Sequence, residues 1–344
     1  MTDPDPGAWR TWRAAMSDAL YGPVGFYRTV GGGDPGPAGH FRTSVHASTR
    51  FAEALLRLAR QCGLTTVVDV GAGRGELLAA LRRLDPALRL VAVEVAARPG
   101  DLPADVGWEH DLPPTEDALV VANEWLDNVP LDVVELAADG LRVVEVAADG
   151  HERLGGPAGP EDARWVADWW PLSAVGARAE VGRSRDLAWA SVVSSVRRGV
   201  AVAVDYAHDR PARPAQGSLT AYRSGRQVPP VPDGTCDLTA HVALDACAAA
   251  GERAGATGTV RTTQAEALRA LGVDDRRPGR DRAERDPAGY LLALARAGES
   301  AELTDPAGLG GFGWLLQAVG RALPEGWDLR TPAATRAADA RRES

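Results

Sequence analysis

Apolar positions recur along the chain with two different periods, and the alternation between them carries the first inference. Trp9, Trp12, Met16 and Leu20 are helically spaced before Tyr21-Gly22-Pro23 breaks the run, and the glycine-rich stretch 31–37 follows, which predicts a short helix and a mobile loop. Phe51, Leu55, Leu58 and Cys62 recur at i, i+4, i+7 and i+11, with Ser48 placed to cap that helix and Gly63 to end it. Thr66-Val67-Val68-Asp69-Val70 is rich in β-branched residues, and beyond a glycine loop Leu77, Leu78, Leu81 and Leu84 share one helical face. Further strands are expected at 88–95, 106–110 and 118–122. Strands alternating with helices predict a doubly wound, Rossmann-like α/β sheet.

After Pro130 the period changes. Val133-Val134-Glu135-Leu136, Asp139-Gly140, the run 141–146 and Asp149-Gly150 predict an inserted antiparallel β-hairpin. The near-duplicate halves of this stretch are too few to form a solenoid. Trp189, Val192, Val193 and Val196 define a helix leading through Gly199 into an apolar strand at 200–204, so the βαβ rhythm resumes. Beyond it come a turn-rich stretch 217–234, a helix near 242–250, a strand near 258–261 and a helix at 264–271. The Arg/Asp run 274–286 reads as a solvated loop. The expected organisation is an N-terminal helix and cleft-covering loop (1–47), one catalytic domain (48–330) with insertions near 131–180 and 266–305 and extra helices over the cleft, and a disordered tail (331–344).

Composition narrows the class. A chain of 344 residues buries most of its apolar surface without cross-links, and Cys62, Cys236 and Cys247, an odd set without close spacing, point to a reducing cytoplasm. A net charge of −9 disfavours generic nucleic-acid binding. The chain contains no lysine, which removes Schiff-base and P-loop lysine chemistry; with abundant alanine, glycine and proline it points to GC-rich, bacterial coding. The apolar runs are strand-sized and residues 1–7 carry no basic side chain, so neither membrane insertion nor a leader segment is expected. The histidines and cysteines show no ligand spacing, so no metal site is expected.

The run Asp69-Val70-Gly71-Ala72-Gly73-Arg74-Gly75 lies between a strand and an amphipathic helix. Glycines there let the backbone turn sharply and approach a ligand, while N–H groups at the helix start face it. A dinucleotide fingerprint needs glycines at the first, third and sixth positions. Here they occupy the first, third and fifth, and the sixth is Glu76, which favours S-adenosylmethionine over NAD. Glu94, ending the second strand, is placed to accept both ribose hydroxyls. Asp111, after the third, either meets the adenine amino group or is an ordinary loop acid. Asn123-Glu124-Trp125-Leu126-Asp127-Asn128-Val129-Pro130 follows the fourth strand, where an open α/β sheet presents residues to its ligand crevice. Methyl transfer needs an in-line nucleophile and, in some cases, removal of one proton. Glu124 and Asp127 could supply both, or could be solvated acids at a capped helix start. Asp69 and Asn123, which open their two runs, are counted with the cofactor side. His241 is either a general base or a hydrogen-bonded structural residue.

Several short motifs, in order, then carry a resemblance. Ala19-Leu20-Tyr21-Gly22-Pro23 with Gly25-Phe26-Tyr27, Gly39-His40-Phe41-Arg42-Thr43, the Asn123-to-Pro130 run, Asp205-Tyr206, Gly217-Ser218-Leu219-Thr220-Ala221-Tyr222 and Asp237-Leu238-Thr239-Ala240-His241-Val242 together resemble the MidA-type methyltransferases, whose mitochondrial members help assemble respiratory complex I by methylating an arginine. The resemblance implies that Phe41 and Thr43 wall the cofactor, that Gly71, Gly73, Gly75 and Glu94 hold it, and that Glu124 and Asp127 face the substrate. It also implies that Asp205, Tyr206, Asp237 and His241 line or brace the same cleft. Three positions depart from the family pattern: His40 and His46 replace acids, and Ala207 replaces a glycine. The expected function is S-adenosylmethionine-dependent methylation, of a protein arginine such as one in a respiratory-complex subunit. A small-metabolite methyltransferase and a cofactor-binding scaffold without catalysis are the alternatives.

Overall fold

The computed structural model describes residues 9–29, 43–324 and 326–327. Phe41, His40 and the glycine-rich stretch 31–37 therefore lie outside the described residues, as does the expected tail. Helix α1 (Trp12–Tyr21) is capped by the Thr11 hydroxyl and buries Trp12, Ala15, Met16, Ala19 and Leu20 on one face. Helix α2 (Thr49–Gln61) starts at Ser48, whose hydroxyl accepts from the Arg50 N–H at 3.0 Å, and the chain leaves it through left-handed Gly63.

The βα alternation expected next is present as β1 (Thr66–Val70), α3 (Glu76–Leu84), β2 (Arg89–Val93), β3 (Gly107–Glu109) and β4 (Thr115–Asn123). The chain then leaves the sheet for β5 (Asp132–Ala137), β6 (Gly140–Val146), β7 (Glu152–Pro157), α4 (Pro160–Trp169) and β8 (Arg178–Val181). It returns through α5 (Arg183–Ser195) and β9 (Val196–Asp205). A small sheet of β10 (Thr220–Arg223), β11 (Arg226–Val228) and β12 (Asp237–Thr239) precedes α6 (Leu244–Arg253), β13 (Gly258–Thr263), α7 (Gln264–Ala270), α8 (Pro287–Thr304) and β14 (Gly313–Val319).

The central sheet runs β13-β14-β9-β4-β1-β2-β3. From β9 to β3 every pairing is parallel, and β14 is antiparallel to both its neighbours. Alternate side chains go to opposite faces. Val67, Leu119, Val121, Val200 and Val202 meet Phe51, Leu55 and Leu81 from α2 and α3, while Val68, Val120, Ala201 and Ala203 meet Trp189, Val193 and Cys247 from α5 and α6. Both faces are covered, which is why these strands read as nearly unbroken apolar runs.

Insertion 132–181 is larger than the expected hairpin. β5 and β6 pair antiparallel with Ala137 opposite Gly140, so Ala138 and Asp139 make the turn, and β7 and β8 extend the sheet on either side. The two near-duplicate runs end consecutive strands of this one sheet. Arg10–Thr11 adds a further strand to β6, and α1 packs on Leu131, Val133, Val144 and Val146. The stretch read as turn-rich contains β10 and β11, joined through Ser224 and Gly225, both with positive φ. The Arg/Asp run is partly helical (Arg280–Arg285), and its Asp286 accepts from the Gly289 N–H to cap α8, whose periodicity an N-terminal proline and small residues conceal. No helix among the described residues is long and apolar enough to cross a membrane.

Candidate active site

Strand order reverses at β1, whose neighbours β2 and β4 are reached by connections on opposite sides; there the loops after the strands part and leave a crevice. A cavity of about 720 Å³ opens at this place. At one end β1 runs into the glycine turn. Gly71, Gly73 and Gly75 have φ of +71°, +57° and +81°, a region that disfavours any residue with a Cβ. Each glycine has a different neighbour. A Cβ on Gly71 would lie 2.6 Å from Trp125 Cδ1, and one on Gly75 would lie 2.6 Å from Leu102 Cδ1; on Gly73 it would meet nothing nearer than Glu76 Oε2 at 3.6 Å. Gly71 and Gly73 line the cavity, whereas Gly75 lies outside the lining, against Leu102.

Glu94 follows β2 directly. Its two carboxylate oxygens accept from the Gly73 N–H at 2.9 Å and the Ala96 N–H at 3.0 Å, and burial pushes its pKa up. Asp69 is buried, and burial, with Glu76 and Glu94 nearby, pushes its carboxyl well above the usual range. Thr43, Asp69, Glu94, Asp111 and Asn123 all line the cavity.

At the other end the chain leaves β4 through Glu124, held at φ +51° by a bond from its N–H to Val204 O at 2.8 Å. Its Oε1 accepts from the Ser44 N–H at 3.2 Å and from Asn123 Nδ2 at 3.1 Å. Burial first, and then the Asp127 charge, push the Glu124 pKa up to about 7. Asp127 is buried; its Oδ2 accepts from the Thr239 hydroxyl at 2.6 Å, and its Oδ1 has no partner. Asn123 Oδ1 is likewise buried and unpartnered. A third carboxylate comes from β12. Asp237 Oδ1 accepts from Tyr27 Oη at 2.9 Å and Asn128 Nδ2 at 2.8 Å, and burial and Asp127 push its pKa up to about 8. Tyr21, Tyr27, Tyr206 and Tyr222 complete this end.

Behind the acids two groups fix the turn. Asp205, fully buried at the end of β9, accepts from the N–H groups of Leu126 at 2.9 Å and Asp127 at 3.2 Å. Arg185, from α5, is 2% exposed and spends its guanidinium on backbone carbonyls: Val129 at 3.2 Å, Ala240 at 2.8 Å, His241 at 2.9 Å and Asp127. It knits the turn after β4 to the turn after β12. His241 is not in the cavity lining; it reaches the site through Tyr206, on whose ring it stacks at 5.6 Å. His46 lines the cavity, with Nε2 3.3 Å from Glu76 Oε1 on α3. Sequence reasoning gave Asp237 a place in the cleft but missed Arg185 and the His46–Glu76 pair, whose only trace was the departure at His46.

The glycine turn suits a nucleoside cofactor. Gly73 presents bare backbone to the cavity, Glu94 keeps acceptor capacity beyond its two N–H partners, and the acids around the turn favour a sulfonium cation. A reversed-strand sheet with such a cavity at its switch point defines a Rossmann-like nucleotide-cofactor enzyme. The chain belongs to the family described as "Putative S-adenosyl-L-methionine-dependent methyltransferase", whose model matches residues 50–261. A crystal structure from Burkholderia thailandensis bound to S-adenosyl-homocysteine is similar over 92% of this chain and 90% of that one, at 26% identity and a TM-score of 0.75. A high-resolution native structure from the same organism matches over the same shares at 26% identity and a TM-score of 0.74. No curated protein matches. The protein is an S-adenosylmethionine-dependent methyltransferase.

Proposed function

We propose that the methyl acceptor is an arginine side chain of a protein partner. The observation that carries this reading is the convergence of Glu124, Asp127 and Asp237 at the cavity end beside Tyr27, Tyr206 and Tyr222, with two buried acceptors, Asp127 Oδ1 and Asn123 Oδ1, unpartnered. Unpaired buried acceptors cost stability until donors reach them, and a guanidinium presents five N–H groups in a plane. The bound cofactor supplies an electrophilic methyl on a sulfonium. Gly71, Gly73, Glu94 and Asp111 would hold its nucleoside part. Glu124 and Asp127 accept N–H bonds from the guanidinium and turn one nitrogen toward the cofactor end. A guanidinium nitrogen lacks a free lone pair, so proton loss accompanies attack, and Glu124, poised at about 7, is the carboxylate suited to take that proton. Asp127, fixed by Thr239 and the Asp205-held turn, keeps the guanidinium in register.

The test uses radiolabelled cofactor with an arginine peptide, its lysine counterpart and host lysate. The expected product is methylarginine, with no label on the lysine peptide, because an ammonium cannot reproduce the planar pairing. Label confined to small molecules would transfer the reading to a cationic metabolite. Full host function with Glu124→Gln and Asp127→Asn combined would overturn catalysis in favour of a scaffold.

A further inference from the structure

His46 and Glu76 form a doublet that neither substrate capture nor ribose binding uses. Thr43 caps the short helix Ser44–Ala47, and its hydroxyl lies 2.6 Å from His46 Nδ1. Ser44 Oγ donates to Gln264 Oε1 at 2.9 Å, both residues being fully buried, which anchors the segment. The other ring nitrogen of His46 faces Glu76 Oε1 at 3.3 Å, and Glu76 Oε2 accepts from the Arg74 N–H at 3.1 Å. Both side chains are only partly exposed and both line the cavity beside Gly73. An imidazole and a carboxylate are thus fixed side by side at the glycine turn. Of the neighbouring groups, Glu94 accepts from Gly73 and Ala96 and has its remaining acceptor capacity on the ribose side, and the Arg74 guanidinium pairs with Asp101 at 3.4 Å.

The cofactor established above ends in an amino acid, an α-carboxylate next to an α-ammonium. That zwitterion needs one cation and one anion at matching separation, since neither of its charges can be left unpaired in a cavity. We infer that His46 and Glu76 are the subsite for this end, with the His46 imidazolium holding the α-carboxylate and the Glu76 carboxylate the α-ammonium. The inference rests on S-adenosylmethionine being the cofactor. The charge states suit the role. The hydrogen bond to Glu76 raises the His46 pKa against the opposing effect of burial, with Glu76 and Glu124 as the charges facing the ring; Glu76, although burial pushes it up, is held below its usual value by His46 and backbone N–H groups. Asp69 lies beneath the same turn, where burial first, and then the Glu76 and Glu94 charges, push its carboxyl well above the usual range.

Two nucleosides separate this subsite from the rest of the site: S-adenosylhomocysteine, which carries the amino acid, and 5′-methylthioadenosine, which lacks it. By calorimetry the wild type should prefer S-adenosylhomocysteine. His46→Gln and, separately, Glu76→Gln should each weaken that ligand by about tenfold, the worth of one charge-assisted bond, and leave methylthioadenosine unchanged. The hydrogen bond to Glu76 raises the His46 pKa, so the imidazole loses its charge only as the pH climbs through that raised value; wild-type affinity for S-adenosylhomocysteine alone should fall over that rise, and His46→Gln should flatten the slope. Equal loss of both ligands in the variants would overturn the inference and leave His46 as a brace for the turn, and so would unchanged binding of both. Failure of the wild type to bind either nucleoside would instead overturn the cofactor assignment.

Discussion

Glu124 is held in the left-handed region by its neighbours and half-buried beside a second acid, so its ionised form is disfavoured in the folded chain. Its folded pKa of about 7 stands above the ordinary 4.5, so the folded state holds the proton more tightly than the unfolded one. Stability that is complete below about pH 4.5 is lost as pH rises toward about 7. In ligand-free protein Glu124→Gln should therefore flatten part of the fall in Tm across that window and raise Tm at neutral pH, while turnover collapses. A Tm at or below wild type near pH 8 would contradict the burial argument. Asp237, with a pKa of about 8, acts with the same sign, so the single variant removes only its own share. The glycine turn gives a second pair of outcomes. Gly73→Val costs about 1–2 kcal/mol of backbone strain but meets only open cavity, so calorimetry should show cofactor binding lost in a protein that still folds. Gly71→Val carries the same strain and also drives into Trp125, so its Tm should fall further. The turn itself was legible in the sequence because its signal is local: three glycines at fixed spacing between a strand and a helix.

Arg185 shows what elements conceal from a linear reading. On α5 it is one more arginine in the first helical turn, and the contacts that define it lie 55 to 58 residues away along the chain. Replacing it by Met takes the guanidinium from the carbonyls of Val129, Ala240 and His241, while that of Asp127 keeps the Ala240 N–H at 3.2 Å, at a cost of about 2–4 kcal/mol. A lysine ammonium, with three donors and no planar fork, should recover only part of the lost Tm. Equal stability of Arg185→Lys and wild type would refute the tie between the two turns. The same limit explains the site. Tyr27 meets Asp237 across 210 residues, a contact that no periodicity encodes, whereas β1, α3 and β9 announce themselves through unbroken or amphipathic runs. The sheet of β10 to β12 escaped because Gly217, Gly225, Gly234 and the prolines at 229, 230 and 232 outweigh three short strands whose partners supply the order.

At the scale of the whole molecule a net charge of −9 attracts basic partners over distances set by salt. Capture of an arginine-rich peptide should weaken as ionic strength rises, with the loss mainly in the association rate; salt-independent association would count against a charged partner. Helix α1 and strand β14 also meet the fold differently. α1 belongs to the core of the second sheet, with Trp12, Met16 and Leu20 wholly buried, so trimming it should open that sheet and leave the central one standing. β14 is the opposite case. It follows all of the site residues along the chain, yet it sits inside the central sheet, between β9 and β13, and every residue from Gly199 to Asp205 is matched against it. A nascent chain can hold the glycine turn, all three carboxylates and Arg185 and still have a gap in the middle of its sheet. A message truncated shortly before codon 313 would yield a polypeptide with every reactive group present and an open strand edge ready to pair with its neighbours.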